Sequence, residues 1–279
     1  MADEERGEAS SVSPEPRSKI SQFLQYMQEE VDPKQCTAPL AAFCFMTGFI
    51  DSVCFSAVFV WCGFQTGNFI QLALALARLF EGPKESRDTT FHKADQQALA
   101  SLLAFNAGAF FGRWGDHIGP HRRSWLCLGT FTQALLTMAA ALTIWKSGQG
   151  SIADDRGDPA WTNGLSFAAI ILMSASLGVQ GVQGKRLNTQ FTTTIVLTTV
   201  WVELMTDPKL FNLRQKVITR DHKLIAAGAL FIGGFVSRAI TGQIGSAGTL
   251  GVGVGIRLLI TVAWLFVPAK QTKGTPEKR

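Results

Sequence analysis

An apolar run from Pro39 to Phe80 constrains this chain more than any other stretch. About 40 residues in a single helix would measure about 60 Å, twice the thickness of a membrane's hydrocarbon core. The chain therefore has to turn within the run, and the polar residues near its middle place that turn at Gly63–Asn68. Irregular backbone at membrane depth needs protein or water around it, so we expect this break to face a cavity.

One acid, Asp51, lies inside the same run. A carboxylate at membrane depth is costly, so it is expected to face the protein interior and to have a partner. Three interpretations are open: Asp51 couples transport to a proton or another ion, it forms a structural ion pair, or it lies at the edge of a segment whose bounds are misplaced. Arg113 and Arg238, near the ends of two glycine-rich segments, are predicted to neutralise Asp51 or to bind an anion. Alternatively these arginines, like Arg257 in the last segment, extend to the membrane interface.

The residues Thr66, Gly67 and Asn68 follow the predicted break. They can offer hydroxyl, amide and free backbone groups to a ligand at a helix start. The alternative is an ordinary helix cap in a tight hairpin loop.

Apolar segments recur along the rest of the chain and predict an all-α, polytopic integral membrane helical bundle. The second segment is short, and the sixth is threonine-rich and weakly apolar, so the prediction is six crossings, or eight if both of these also cross. The segments cover residues 40–62, 66–80, 98–115, 124–145, 164–184, 189–205, 223–241 and 247–267.

The chain divides into four predicted regions. They are a disordered tail (1–18), an amphipathic juxtamembrane helix (19–38), a transmembrane domain (39–268) and a basic C-terminal tail (269–279). The amphipathic helix either lies on the membrane surface or packs against the bundle. Basic residues in the tails and in the loop after Asp207 predict that both termini are cytoplasmic. Six crossings would place loop 119–123 inside and loop 81–97 outside, and eight would exchange them.

The two halves of the transmembrane domain, about 39–145 and 164–268, resemble each other. The sequence around Gly48 matches that around Gly178, and the glycine-rich segment ending at Arg113 matches the one ending at Arg238. Thr66-Gly67 corresponds to Thr198-Thr199, which adds Thr198 to the candidate site. Transporters are often built from such repeats, with the site where interrupted helices meet. The alternative is a chance similarity between glycine-rich helices.

Composition argues against several other classes. The formal charge of +5 comes from loops and tails rather than from a basic face, so no nucleic-acid partner is predicted. The five cysteines form no CxxC pair, and the three in the first apolar segment, Cys44, Cys54 and Cys62, are expected to be buried and apolar in character rather than disulfide-bonded or metal-binding. His117 and His121 are separated by Gly119-Pro120, which argues against a metal site. Without a nucleophile, metal or cofactor motif, no enzyme and no cofactor are predicted.

The pattern of Gly48, Phe49, Asp51 and Phe55, followed by Thr66-Gly67-Asn68, resembles the YoaK-like family of polytopic membrane proteins of unknown function. The residues from Glu29 to Pro33 are similar to the fungal branch of that family. The resemblance covers roughly residues 35–268 and implies an integral membrane protein of about six helices, with no known reaction or substrate. One departure is Thr198-Thr199, where the family commonly has a Thr-Gly pair.

The function that the sequence favours is a small-solute or ion-coupled secondary transporter in a lipid bilayer. Asp51 would be its titrating group, and a small solute or a proton its ligand. The alternative is a non-catalytic membrane scaffold or accessory protein in which Asp51 only pairs with an arginine.

Overall fold

The computed structural model describes residues 18–155, 160–189, 197–212 and 214–271. These residues form helices, short 3-10 turns and two isolated β-bridges. The tail predicted at the N-terminus, most of the basic C-terminal tail and Thr192–Thr194 lie outside the described residues. The α-helices are α1 (Lys19–Gln28), α2 (Thr37–Val58), α3 (Gln65–Arg78), α4 (Lys93–Gly112), α5 (Trp114–Ile118), α6 (Arg123–Ser147), α7 (Gly164–Leu187), α8 (Leu197–Met205) and α9 (Ile218–Ala263).

Four of these helices, α2, α6, α7 and α9, are long and apolar enough to cross a membrane. Large apolar side chains point away from the bundle, with Phe231 74% and Leu259 71% exposed. Exposed apolar surface on this scale is typical of a lipid-facing protein. The lengths, the composition and this surface support an integral membrane protein.

Helix α9 is broken at Gly245, where the backbone has a φ of 73° and a ψ of 172°. The hydroxyls of Thr241 and Thr249 lie 3.0 Å apart, whereas residues eight apart in a continuous helix are separated by about 12 Å. The chain therefore reverses here and forms two arms, residues 218–244 (the first arm) and residues 246–263 (the second arm). Glycine suits the break because a side chain disfavours a positive φ. The break falls between two of the predicted apolar segments.

Helix α2 packs against both arms of α9. The Ser237 hydroxyl donates to the Phe49 carbonyl at 2.7 Å, and a Cβ on Gly233 would lie 2.0 Å from the Phe45 carbonyl oxygen. Phe45 contacts Gly233, and Phe49, four residues later, contacts Ser237, which is also four residues later. Helix α2 and the first arm therefore run parallel. A Cβ on Gly48 would lie 2.0 Å from the Leu230 carbonyl oxygen, which shows how closely these backbones approach.

Helices α4 and α7 form a second close pair. A Cβ on Gly108 would lie 2.2 Å from the Ala175 carbonyl oxygen, and one on Gly178 would lie 2.2 Å from that of Phe105. The hydroxyls of Ser101 and Ser174 lie 2.8 Å apart near the start of this contact. Small residues allow such approach, as is usual for helices packed in a membrane.

The segment between α1 and α2 ties the two ends of the described chain together. Helix α1 ends at Gln28 instead of continuing to residue 38, and Val31 beyond its end is fully buried in a β-bridge with Ala269. Arg123 donates to the Glu29 carboxylate and to the carbonyl of Val267. We call this end of the bundle, formed by residues 29–32, 119–123 and 267–270, the terminal face.

Helix α1 lies on the outside of the bundle, with Met27 packed against the hydrophobic core. None of its residues is buried, and its apolar side chains Ile20, Phe23 and Leu24 are all more than half exposed. It is attached through Tyr26, whose hydroxyl donates to the Leu265 carbonyl.

Candidate functional site

The site begins where α2 ends, at residues 59–64, which we call the re-entrant loop. Phe59 has a left-handed backbone (φ 58°) that ends the helix. The loop then turns back along α2, since the N–H groups of Cys62 and Gly63 donate to Oδ1 of Asp51 at 2.6 and 2.8 Å. Asp51 lies about 10 Å before the end of α2, so the loop returns into the bundle by about two helical turns.

The break therefore lies slightly earlier in the chain than the sequence predicts. Residues 59–64 are non-helical, whereas Thr66, Gly67 and Asn68 form the first turn of α3. Thr66 and Gly67 are exposed, and only Asn68 is buried. The position was wrong by a few residues because polar side chains in the first turn of a helix are indistinguishable by composition from a loop.

The side chain of Asn68 binds the backbone of the re-entrant loop. Its Oδ1 accepts from the Trp61 backbone N–H at 3.2 Å, and its Nδ2 donates to the Trp61 carbonyl at 2.6 Å. The same Nδ2 lies 3.2 Å from the hydroxyl of Ser101, which connects the loop to α4. Asn68 thus binds both backbone polar groups of Trp61, whose carbonyl also accepts from the Ser101 hydroxyl at 2.7 Å. Its amide is committed to the protein rather than available to a ligand.

The second oxygen of Asp51, Oδ2, is buried and has no hydrogen-bond partner. The side chain is 1% exposed, and within the described ranges no cation lies at ion-pair distance from it. A Cβ on Gly63 would come 2.9 Å from Oδ2, so glycine gives the carboxylate its room. Two N–H donors on one oxygen and a free second oxygen leave Asp51 able to bind and release a proton.

A pocket of about 590 Å³ lies between α2, the re-entrant loop and the first arm of α9. Asp51 lies in its wall, and Arg238 lines it from the first arm. Two hydroxyls and several aromatic rings complete the lining. Its other residues include Ser52, Phe55, Ser56, Trp61, Phe64 and Phe235.

The predicted ion pair of Asp51 with Arg113 or Arg238 is wrong. Arg113 is exposed at the end of α4, where its guanidinium lies 5.7 Å from the ring centre of Phe110. Helix α4 packs along α7 rather than along α2, which keeps Arg113 away from Asp51. Arg238 shares the pocket with Asp51 but is exposed and forms no ion pair among the described residues. Thr198 is exposed on α8.

Arg257 is a functional candidate that the sequence pattern did not indicate, since it was predicted to extend to the membrane interface. It is fully buried, so it does not extend to the interface. Its guanidinium contacts Oε1 of Gln133, Oε1 of Gln180 at 3.4 Å and Oγ of Ser176 at 3.3 Å. We call these four residues the central polar cluster. Glutamines inside apolar segments were the signal that would have indicated a buried polar centre.

Asp51 and the central polar cluster are connected through α2. Gln180 donates to the hydroxyl of Thr47 at 2.8 Å and to the Phe43 carbonyl at 3.0 Å. Thr47 lies one helical turn before Asp51, on an adjacent part of the same helix surface. Only two side chains therefore separate the buried carboxylate from the buried guanidinium.

Outside this region the described residues offer little other chemistry. They contain no group of histidines, cysteines and acids that could hold a metal ion. All five cysteines are buried and free, as predicted for Cys44, Cys54 and Cys62, and burial raises the pKa of Cys36 to about 12. Arg186 of α7 and Asp116 of α5 form a surface ion pair. Hydrogen bonds from Arg186 hold the pKa of Asp116 below its ordinary value.

Together these features define a class: a helical integral membrane protein with an interrupted helix and, among its described residues, two buried charges that form no ion pair. Its sequence places it within a known family. The chain belongs to the family described as "Protein of unknown function (DUF1275)", which matches residues 40–263. The match agrees with the YoaK-like resemblance, while the fungal branch stays a prediction. No curated protein and no solved structure matches the chain.

Proposed function

We propose that this protein is a secondary transporter that couples the movement of a small solute to a proton, with Asp51 as the coupling group. One observation carries the proposal: Asp51 is buried, has a free Oδ2, and has no ion pair in the described part of the chain. A permanent ion pair would hold the carboxylate in its charged form. An unpaired buried carboxylate can instead change its charge during a transport cycle.

The interrupted backbone next to Asp51 supports the same proposal. In many transporters the ion and solute sites lie where a helix is broken within the membrane, because broken helices expose backbone groups. Here the broken stretch supplies the two N–H groups that bind Oδ1 of Asp51. A movement of the re-entrant loop would therefore change the surroundings of the carboxylate directly.

We further propose six crossings, formed by α2, α4, α6, α7 and the two arms of α9. The terminal face supports this number, since residues of loop 119–123 contact both the segment before α2 and the segment after α9. Six crossings require that loop to share a side with both termini, whereas eight would place it opposite them. The exposed loop 81–97 would then lie on the other side.

We place the terminal face in the cytoplasm. Several basic residues gather at this end of the bundle: Arg186 pairs with Asp116 and its carbonyl contacts His121, while His222, beside Lys223, contacts Thr37 at the start of α2. Cytoplasmic loops of membrane proteins carry such an excess of lysine and arginine.

The close helix contacts support an internal repeat with inverted copies. A shift of 130 residues maps α2 onto α7 (178 − 48), and a shift of 125 maps α4 onto the first arm of α9 (233 − 108). Under these shifts the contacts between glycines and carbonyls correspond one to one. Three crossings in each half, an odd number, would make the copies inverted. The matched contacts are Gly48–Leu230 with Gly178–Phe105, and Gly233–Phe45 with Gly108–Ala175.

The test is transport by the purified protein in sealed proteoliposomes. A trapped pH-sensitive dye reports proton movement, and mass spectrometry reports which members of a mixed pool of small metabolites enter under an imposed pH gradient. The wild type should accumulate at least one solute together with protons. Asp51→Asn should abolish gradient-driven accumulation, while Asp116→Asn, which alters an exposed acid, should leave it unchanged.

The opposite results would contradict the proposal. Accumulation by Asp51→Asn with unchanged pH dependence would remove the coupling role of Asp51. A wild-type protein that moves neither protons nor any solute of the pool would favour a scaffold or accessory protein.

A further inference from the structure

The interior of the bundle contains a second unpaired charge, the guanidinium of Arg257. All of its hydrogen-bond partners are neutral oxygens, from Gln133, Gln180 and Ser176. Its Nε has no hydrogen-bond partner in the described part of the chain. A buried charge without an opposite charge is costly, so stability alone does not account for this arrangement.

Elsewhere the described chain compensates its buried charges with ion pairs. Asp51 and Arg257 are the two buried charges in the described ranges that lack such a partner, and their signs are opposite. The compensated pairs are Arg78–Asp95, Arg123–Glu29, Arg220–Asp221 and Lys223–Glu203.

The central polar cluster lies where the two halves of the chain meet. Gln133 belongs to α6 in the first half, and Arg257 belongs to the second arm of α9 in the second half. Gln180 and Ser176 approach from α7, and Gln180 continues to Thr47 on α2. Four helices thus converge on one buried guanidinium. A position between two repeats is where many transporters bind their solute.

We infer that the central polar cluster binds a small monocarboxylate, and that this anion is the solute of the transporter proposed above. The planar guanidinium fits a carboxylate through two parallel hydrogen bonds. The Ser176 hydroxyl, which donates to the Met173 carbonyl at 2.7 Å, would rotate to donate a third. In the structure the glutamine and serine oxygens accept the hydrogen bonds of the guanidinium. A bound carboxylate would replace these neutral acceptors with a negatively charged one.

Charge balance explains why the anion should carry one charge and travel with one proton. Without ligand, the charges of Asp51 and Arg257 cancel within the interior. A bound monocarboxylate adds one negative charge, which the interior can offset if Asp51 takes up one proton. Gln180, which contacts Arg257, also donates to the Thr47 hydroxyl, and Thr47 lies one helical turn before Asp51 on α2. This coupling rests on the proposed function, whereas the anion site rests on Arg257 alone.

Within the described ranges, few other titratable groups face Asp51. They are the thiols of Cys54 on α2 and Cys62 in the re-entrant loop, with Arg238 of the first arm across the pocket. Helix α7 contributes the apolar Leu177 on this side. Asp51 is therefore the carboxylate assigned to respond when an anion enters the cluster.

The binding test uses the purified full-length protein in detergent at constant ionic strength. The melting temperature is measured against sodium acetate, with acetamide as the neutral analogue and chloride as an anion without a planar fork. Acetate should raise the melting temperature in a saturable way, and the other two should not. A wild-type protein that acetate does not stabilise, or that acetamide stabilises equally, would overturn the inference.

Variants connect the effect to Arg257. Arg257→Gln should lose the acetate response, while Arg113→Gln, which changes an exposed arginine at the end of α4, should keep it. Ser176→Ala removes one neutral hydroxyl and should weaken acetate about fivefold, the usual effect of one hydrogen bond. If Arg257→Gln does not fold, Ser176→Ala decides: an unchanged acetate affinity in that variant would refute the site.

The pH dependence separates the anion site from the proposed coupling. Wild-type acetate affinity should rise as pH falls, by at most about tenfold per pH unit for uptake of one proton. Asp51→Asn should bind acetate more tightly than the wild type at neutral pH, with this dependence removed. Suppose that Asp51→Asn keeps the wild-type pH dependence of acetate binding while Arg257→Gln has lost acetate binding. This result would refute the coupling role of Asp51 and support the anion site.

Discussion

The contact between Asp51 and the re-entrant loop can be tested by comparing two substitutions at one position. Asp51→Ala and Asp51→Asn both remove the buried charge, so the difference between them isolates the hydrogen bonds. The asparagine oxygen can still accept from the N–H groups of Cys62 and Gly63, whereas alanine leaves both groups without an acceptor.

The expected magnitude follows from these two bonds. A buried N–H group left unpaired costs about 1–3 kcal/mol, which gives about 2–6 kcal/mol for two. The amide nitrogen of the asparagine variant, placed where Oδ2 lacks a partner, offsets part of this difference. We expect Asp51→Ala to be less stable than Asp51→Asn by about 1–4 kcal/mol.

Two measurements check this expectation. Chemical unfolding in detergent micelles gives the free-energy difference, and alkylation followed by mass spectrometry reports access to Cys62 in the loop. Cys62 and Cys54 are both fully buried in the wild type. Asp51→Ala should expose Cys62 to alkylation while Cys54 on α2 stays protected. Equal stability of both variants together with equal protection of Cys62 would refute the role of Asp51 in holding the loop.

Three further predictions follow from other parts of the molecule. Gly48→Ala should destabilise the protein by several kcal/mol or prevent folding, because the new Cβ would meet the backbone of the first arm. The control is Gly251→Ala, where nothing lies within 4 Å of the new Cβ, and equal melting temperatures of the two variants would contradict this packing. Lowering the pH should remove the small stabilisation from the Asp116–Arg186 ion pair, because the pKa of Asp116 is lower in the folded protein than in the unfolded chain. The ion pair contributes above pH about 4, and its contribution disappears as the carboxylate protonates below that pH. If the difference in melting temperature between Asp116→Asn and the wild type stays constant into acid, this prediction is wrong. In sealed right-side-out cells a cysteine introduced in loop 81–97 should react with an impermeant reagent while tags on both termini resist protease, and the reverse pattern would exclude six crossings with cytoplasmic ends.

Several features of the protein could be predicted from the sequence because they depend on local composition. Apolar segments of sufficient length indicated a helical membrane protein, and the length of the run from Pro39 to Phe80 required a break. The acid in the middle of that run indicated that Asp51 is buried. The two last apolar segments anticipated the reversal at Gly245, since polar and small residues separate them.

The tertiary structure alone decided how the buried polar groups are paired. An arginine in an apolar segment has the same sequence pattern whether it is exposed, as Arg113 is, or enclosed, as Arg257 is. The partners of Asp51 are backbone N–H groups of a loop that returns along its own helix, and no side-chain pattern marks a backbone donor. Hydrophobic length and periodicity are properties of neighbouring residues, whereas hydrogen bonding in the core depends on which helices the fold brings together.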